Sequence, residues 1–121
     1  MTTITLYHNP GCSKSRGARE ILERAGVQFE VVEYLSRPLS RTRLLQLIEL
    51  LGLPPAELVR KDAKFDALGL KAEHYLEAEA VADLLVRYPQ LMQRPIAVRG
   101  NRAVLARPSE RIAEILHEER T

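Results

Sequence analysis

Cys12 is the only cysteine among 121 residues. It stands in "HNPGCSKSR", His8 to Arg16, a Pro-Gly turn between a stretch patterned as a strand and one patterned as a helix. A cysteine at a helix start meets free backbone N–H groups and the positive end of the helix dipole, and both stabilise a thiolate. Thiolate is the reactive form, so the position makes a nucleophile. The same N–H groups also seat an oxyanion. The Ser13 and Ser15 hydroxyls are candidate donors to the sulfur. His8, at the end of the preceding strand, could supply a charge or a proton. Each residue has a plainer reading: Cys12 as a buried spacer, His8 in a structural hydrogen bond, Ser15 satisfying backbone groups, Lys14 and Arg16 as solvated side chains.

Three other chemistries fail on the same stretch. Dithiol exchange needs Cys-x-x-Cys, and position 15 is Ser, so a resolving thiol must come from outside. A phosphatase-type loop needs arginine six residues after the cysteine, where this chain has Ala18. Metal binding needs clustered ligands, whereas His8, His74 and His117 are scattered with no cysteine partner. No metal and no bound cofactor are expected.

Fourteen of the 18 basic residues are arginines. Arg19, Arg24, Arg41, Arg43, Arg111 and Arg120 fall on helical stretches and read as solvated faces. Arg60 in "LVRKD", Arg94 in "QRPIAV" and Arg107 in "ARPSE" differ, because they sit at helix or strand ends where sites collect in α/β folds. The planar guanidinium fork suits a tetrahedral oxyanion. Helix capping, a salt bridge and simple exposure are the plain roles for Arg60, Arg94 and Arg107 in turn.

The elements that must hold these residues follow from periodicity. "TITLYH" alternates with period two and reads as a strand. Ala18, Ile21, Leu22 and Ala25 recur at helical spacing up to Gly26. "VQFEVVEY", Val27 to Tyr34, is a second strand, and a strand-helix-strand unit of this length favours parallel pairing. Ser40 can cap "RTRLLQLIELL", which stops at Gly52. A helical turn from Pro54-Pro55 through Val59, a short helix in "AKFDALGL" and a helix in "EAEAVADLLVRY" come next. "PIAV" and "AVLA" are short strands joined by a hairpin at Gly100-Asn101. Pro108 is placed as the first residue of a last helix with Ile112, Ile115 and Leu116 on its apolar face. This order matches an α/β, thioredoxin-like fold: a four-stranded mixed sheet with helices on both faces. Residues 1–121 read as a single such domain, with a helical insert at about 36–90.

Bulk properties narrow the class. A hydrophobic fraction of 45% supports an ordinary core. A net charge of +2, with arginines interleaved among acids, argues against a nucleic-acid partner. No apolar run approaches the ~18 residues of a membrane span, and "MTTITLYHNP" has no basic or apolar leader. A single cysteine forms no internal disulfide, so a cytoplasmic location is expected.

"YHNPGCSKSR", "LVRKD", "QRPIAV" and "ARPSE", in this order and spacing, closely resemble the glutaredoxin-coupled, glutathione-dependent arsenate reductases. The likeness runs from Ile4 to about Leu116. It implies a thioredoxin-like fold with a helical insert, Cys12 as nucleophile and Arg60, Arg94 and Arg107 as oxyanion-binding catalytic arginines. His8 and Ser15 support the site, and Pro95 follows a cis peptide bond. It further implies arsenate as substrate, glutathione as co-substrate and glutaredoxin as protein partner. Two other functions compete. One is a redox regulator that binds RNA polymerase, a branch that carries Cys-x-x-Cys and lacks the "RPSE" arginine. The other is a generic glutathione-dependent thiol oxidoreductase, which needs Cys12 but not the arginines.

Overall fold

A computed structural model describes residues 3–116. His117 and Arg120, named above, lie outside the described residues. The chain divides into two compact units, residues 38–93 forming one and the residues on either side of them the other.

In the unit formed by the flanking residues, β1 (Ile4–His8), α1 (Ser13–Ala25) and β2 (Phe29–Glu33) form the expected parallel pair with its crossover helix. β3 (Ile96–Arg99) runs antiparallel to β1, and β4 (Arg102–Leu105) antiparallel to β3, giving the order β2-β1-β3-β4. This is the mixed thioredoxin-like sheet. The register sets Thr5 against Val98 and Tyr7 against Ile96. The second strand is shorter than expected. Gln28 enters the pairing only through its carbonyl, which accepts the Ile4 N–H at 3.3 Å.

The core of this unit follows the two periods. Ile4 and Leu6 from one face of β1 meet Ala18 and Leu22 of α1, with Ala97, Val104, Ala106, Ile112 and Ile115. Burying each of the larger aliphatics contributes about 1.5–3 kcal/mol. Tyr7, on the opposite face of β1, is buried as well, as is common in a strand with a neighbour on each side.

The closing segment departs from expectation. Ser109–Ile115 is a 3-10 helix, and Pro108 is its extended N-cap, not its first helical residue. Both ends are tied. The Ser109 hydroxyl donates to the Lys14 carbonyl at 2.8 Å. At the far end the buried Arg99 guanidinium donates to the carbonyls of Ile115 and Leu116. A 3-10 rise of about 2.0 Å per residue, against about 1.5 Å for an α-helix, lets a short segment reach between two such anchors.

In the unit of residues 38–93, α2 (Arg41–Leu51) buries Leu44, Leu47 and Ile48. The helical turn expected through Val59 is a 3-10 turn over Pro55–Leu58, and Val59 leaves it to make an antiparallel bridge with Met92. α3 (Ala63–Ala67) starts at Asp62, whose carboxylate accepts the Lys64 and Phe65 N–H groups. α4 (Ala78–Arg87) buries Val81, Ala82, Leu84 and Leu85. Among the described residues no helix is long and apolar enough to cross a membrane.

Candidate active site

The loop between β1 and α1 is pinned by its own side chains. The Asn9 carboxamide oxygen accepts the Gly11 N–H at 2.9 Å, and the Asn9 carbonyl accepts the Cys12 N–H at 3.0 Å. The Asn9 N–H in turn donates to the buried Ser15 hydroxyl at 3.2 Å. Arg16 reaches back and donates to the Pro10 carbonyl at 2.9 Å. Asparagine commonly closes such turns through its side chain. The result is a hydrogen-bonded arch that delivers Cys12, in extended conformation, to the N-cap position of α1.

Cys12 is half-buried and closes no conventional side-chain cap on its own helix. Its sulfur lies instead in the field of oriented donors. Burial alone pushes the thiol up. The Ser15 N–H, a hydrogen bond from the Arg94 side chain, the Lys14 N–H and the Arg94 charge oppose it and together bring the thiol down to about 7. The thiol therefore gives up its proton more readily than a free cysteine does. The first turn of α1 carries no acidic residue that would compete with an anion.

Arg94 is buried, and the Arg107 guanidinium donates to the Arg94 carbonyl at 2.9 Å. Pro95, also buried, follows a cis peptide bond, and its carbonyl accepts the Ala106 N–H at 3.0 Å. The start of β3 and the end of β4 thereby bring Arg94 and Arg107 to Cys12's side of the sheet unit. Arg60 belongs to the other unit. There its backbone N–H donates to the Leu91 carbonyl at 2.7 Å, and its side chain lies 3.6 Å from the Asp62 carboxylate.

The supporting residues behave differently from one another. His8 is buried with Nδ1 unpartnered, and its pKa is lowered by burial first, then by Arg19 and Arg16 against an opposing effect of Glu33. It is therefore neutral at pH 7 and supplies no charge to the loop. Ser15 acts through its backbone N–H, while its hydroxyl is engaged by Asn9. Lys14 and Arg16 are exposed first-turn side chains, Arg16 with the added role of bracing Pro10. Among the described residues no group of His, Cys, Asp or Glu could hold a metal.

Sequence reasoning missed Asn9, Ser109 and Gly17, the last of these a position where an added Cβ would fall 2.7 Å from the Ser109 Oγ. Asn9 carried a signal, since Asn two residues before Gly is a side-chain turn. Gly17 carried one too, since an isolated glycine inside a helical pattern marks a close approach.

Comparison with known proteins places this geometry. The model of the ArsC family matches residues 7–115. The chain belongs to the ArsC family. An arsenate reductase of Escherichia coli is 37% identical over 117 residues, covering 96% of this chain and 82% of that protein. The uncharacterized protein YfgD of E. coli strain K12 is 41% identical over 115 residues, covering 93% of this chain and 96% of its own. Among solved structures, an arsenate reductase from Vibrio cholerae superposes with a TM-score of 0.85 at 33% identity, covering 94% of this chain and 98% of that one. In this ArsC-family chain the loop around Cys12 therefore sits within the matched region, as do all three arginines.

Proposed function

We propose that this chain is a cytoplasmic arsenate reductase that uses glutathione and glutaredoxin as external reductants. The observation that carries the reading is a lone thiol lowered to about 7 at a helix start, with a buried guanidinium hydrogen-bonded to it. Arsenate is a tetrahedral oxyanion and matches the guanidinium forks of Arg94 and Arg107. Arg60 is the third arginine, carried over from the family resemblance.

In the proposed reaction the Cys12 thiolate attacks arsenic(V) and an arsenate oxygen leaves as water. The product is a covalent S–As adduct held by the arginines. The thiolate of glutathione then attacks Cys12 Sγ. An S–S bond forms, the S–As bond breaks, and its electron pair goes to arsenic, which departs as arsenite. Glutaredoxin exchanges with the mixed disulfide and restores the Cys12 thiol. The chain holds one cysteine, so both reducing equivalents must enter from outside. The arginines offset the repulsion between a thiolate and an anionic substrate. Removing one such donor costs on the order of 3 kcal/mol in the transition state.

The test combines purified protein, arsenate, glutathione and glutaredoxin, with NADPH consumption followed through glutathione reductase. Turnover that depends on arsenate and on Cys12 supports the reading. If Arg94→Ala and Arg107→Ala both retain full arsenate turnover, the arginines do not hold the anion, and the generic glutathione-dependent thiol chemistry that needs Cys12 alone replaces the mechanism above.

A further inference from the structure

The closing 3-10 segment touches the nucleophile's helix at one polar point, where the Ser109 hydroxyl donates to the Lys14 carbonyl at 2.8 Å. That carbonyl belongs to the same amide as the Ser15 N–H, and the Ser15 N–H is the donor that lowers the Cys12 thiol most. The three groups therefore form a line: serine hydroxyl, Lys14–Ser15 peptide, cysteine sulfur. A hydrogen bond accepted by a carbonyl polarises its amide and strengthens what the amide N–H donates. Ser109 also lies two residues beyond Arg107, whose guanidinium donates to the Arg94 carbonyl at 2.9 Å. One short stretch thus fixes both the anion-binding side and the helix start.

The sequence makes room for this contact at a definite place. A Cβ on Gly17 would fall 2.7 Å from the Ser109 Oγ and 3.2 Å from its Cβ, so a larger residue there would displace the hydroxyl. Glycine in a helix interior is otherwise unfavourable. Its presence one turn from Cys12 is explained by the approach of Ser109.

We propose that Ser109 is a positioning residue for the Cys12 thiolate, acting through the Lys14–Ser15 peptide and dependent on the absence of a side chain at position 17. The proposal rests on the reading of Cys12 as a nucleophile. It needs no assumption about the substrate. The charged group facing the sulfur is Arg94, from the start of β3. The groove beside Ser109 is lined by Gly17, Glu20, Ile21, Arg24 and Glu110, and Arg24 pairs with Glu20 at 2.9 Å.

The experiment titrates the thiolate by its ultraviolet absorbance and by its alkylation rate with iodoacetamide, without arsenate. Ser109→Ala is expected to raise the thiol midpoint by about 0.3–0.5 unit, a roughly twofold to threefold loss of alkylation rate on the acid side. Ser109→Thr keeps the hydroxyl and is expected to titrate like the parent protein. Gly17→Ala keeps serine at position 109 but displaces its hydroxyl, and is expected to shift the midpoint upward as Ser109→Ala does, while its helix propensity improves. An unshifted midpoint in both Ser109→Ala and Gly17→Ala overturns the proposal. So does an equal shift in Ser109→Thr, which would mark a packing effect of position 109. Absence of arsenate turnover in the parent protein overturns the proposed function and leaves this result standing.

Discussion

Helices α1 and α2 both stop at a glycine in left-handed conformation, Gly26 at φ 70° and Gly52 at φ 65°. In each the glycine N–H reaches back three residues, to the carbonyls of Glu23 and Glu49. Their starts differ. Ser40 closes the start of α2 by accepting the Arg43 N–H at 3.1 Å. Cys12 occupies the same position on α1, in a similar extended conformation, and forms no conventional side-chain cap. The first-turn N–H groups of α1 are left to act on the sulfur. One helix start is spent on stability, worth about 1 kcal/mol for a serine cap. The other forgoes that gain and holds a thiol lowered to about 7. The difference lies in one atom of one side chain and in the guanidinium of Arg94 set beside it.

The largest effect should come from making the two starts alike. Cys12→Ser puts the α2 arrangement on α1. Thiol chemistry is expected to vanish completely in the arsenate assay, while the urea midpoint stays level or rises, as a new cap predicts. A large loss of stability would mean that the sulfur, and not the open helix start, holds the loop. Next in size is Arg94→Ala, expected to lower arsenate turnover by roughly 100-fold to 1000-fold. It should also move the thiol midpoint above about 7, because both its hydrogen bond and its charge lower that value.

The contrast between the starts was partly written in the residue types. Ser40 before an amphipathic run is a cap signal, and Pro-Gly before Cys12 marks a turn. Period-two and helical patterning placed the sheet and the longer helices well. The last helix was placed, but its 3-10 type was not legible and Pro108 was set one position too far inside it, for a physical reason. Apolar Ile112, Ile115 and Leu116 satisfy α and 3-10 spacing equally over two turns, and the choice is made by anchors far away in sequence. Arg99 lies 16 and 17 residues from the carbonyls it holds, and Ser109 lies 95 residues from Lys14. No local pattern contains such a partner. His8 shows the same limit. A strand-end histidine is equally compatible with a charged or a neutral ring, and burial beside Arg19 decides for neutral.

Acid should act on the side of α1 first. His8 is buried, whereas His74, in the unit of residues 38–93, is exposed. Arg19 and Arg16 oppose protonation of His8, and Glu33 favours it. The folded ring titrates below the unfolded value of about 6.5, so the unfolded chain binds the extra proton first. Stability is complete above that pH and falls as the pH drops below it. The urea midpoint of the parent protein is expected to decline from pH 7 to pH 5 more steeply than that of His8→Gln. Parallel declines would show that His8 accepts its proton without cost in the fold.

The smallest effect tests the other start. Ser40→Ala removes the cap on α2 and should cost about 1 kcal/mol, with Ser40→Gly costing only a few tenths. Neither substitution should move the Cys12 thiol from about 7, because every group that lowers that value against burial lies at Ser15, Lys14 or Arg94. Urea unfolding and thiolate absorbance on the same samples separate the two quantities. A shift in the thiol midpoint would mean that α2 reaches the sulfur through the backbone, and the two helix starts would then be one coupled system. An unchanged midpoint with reduced stability leaves them as two separate solutions to the same orphaned N–H groups, one closed by a hydroxyl and one kept open for a reaction.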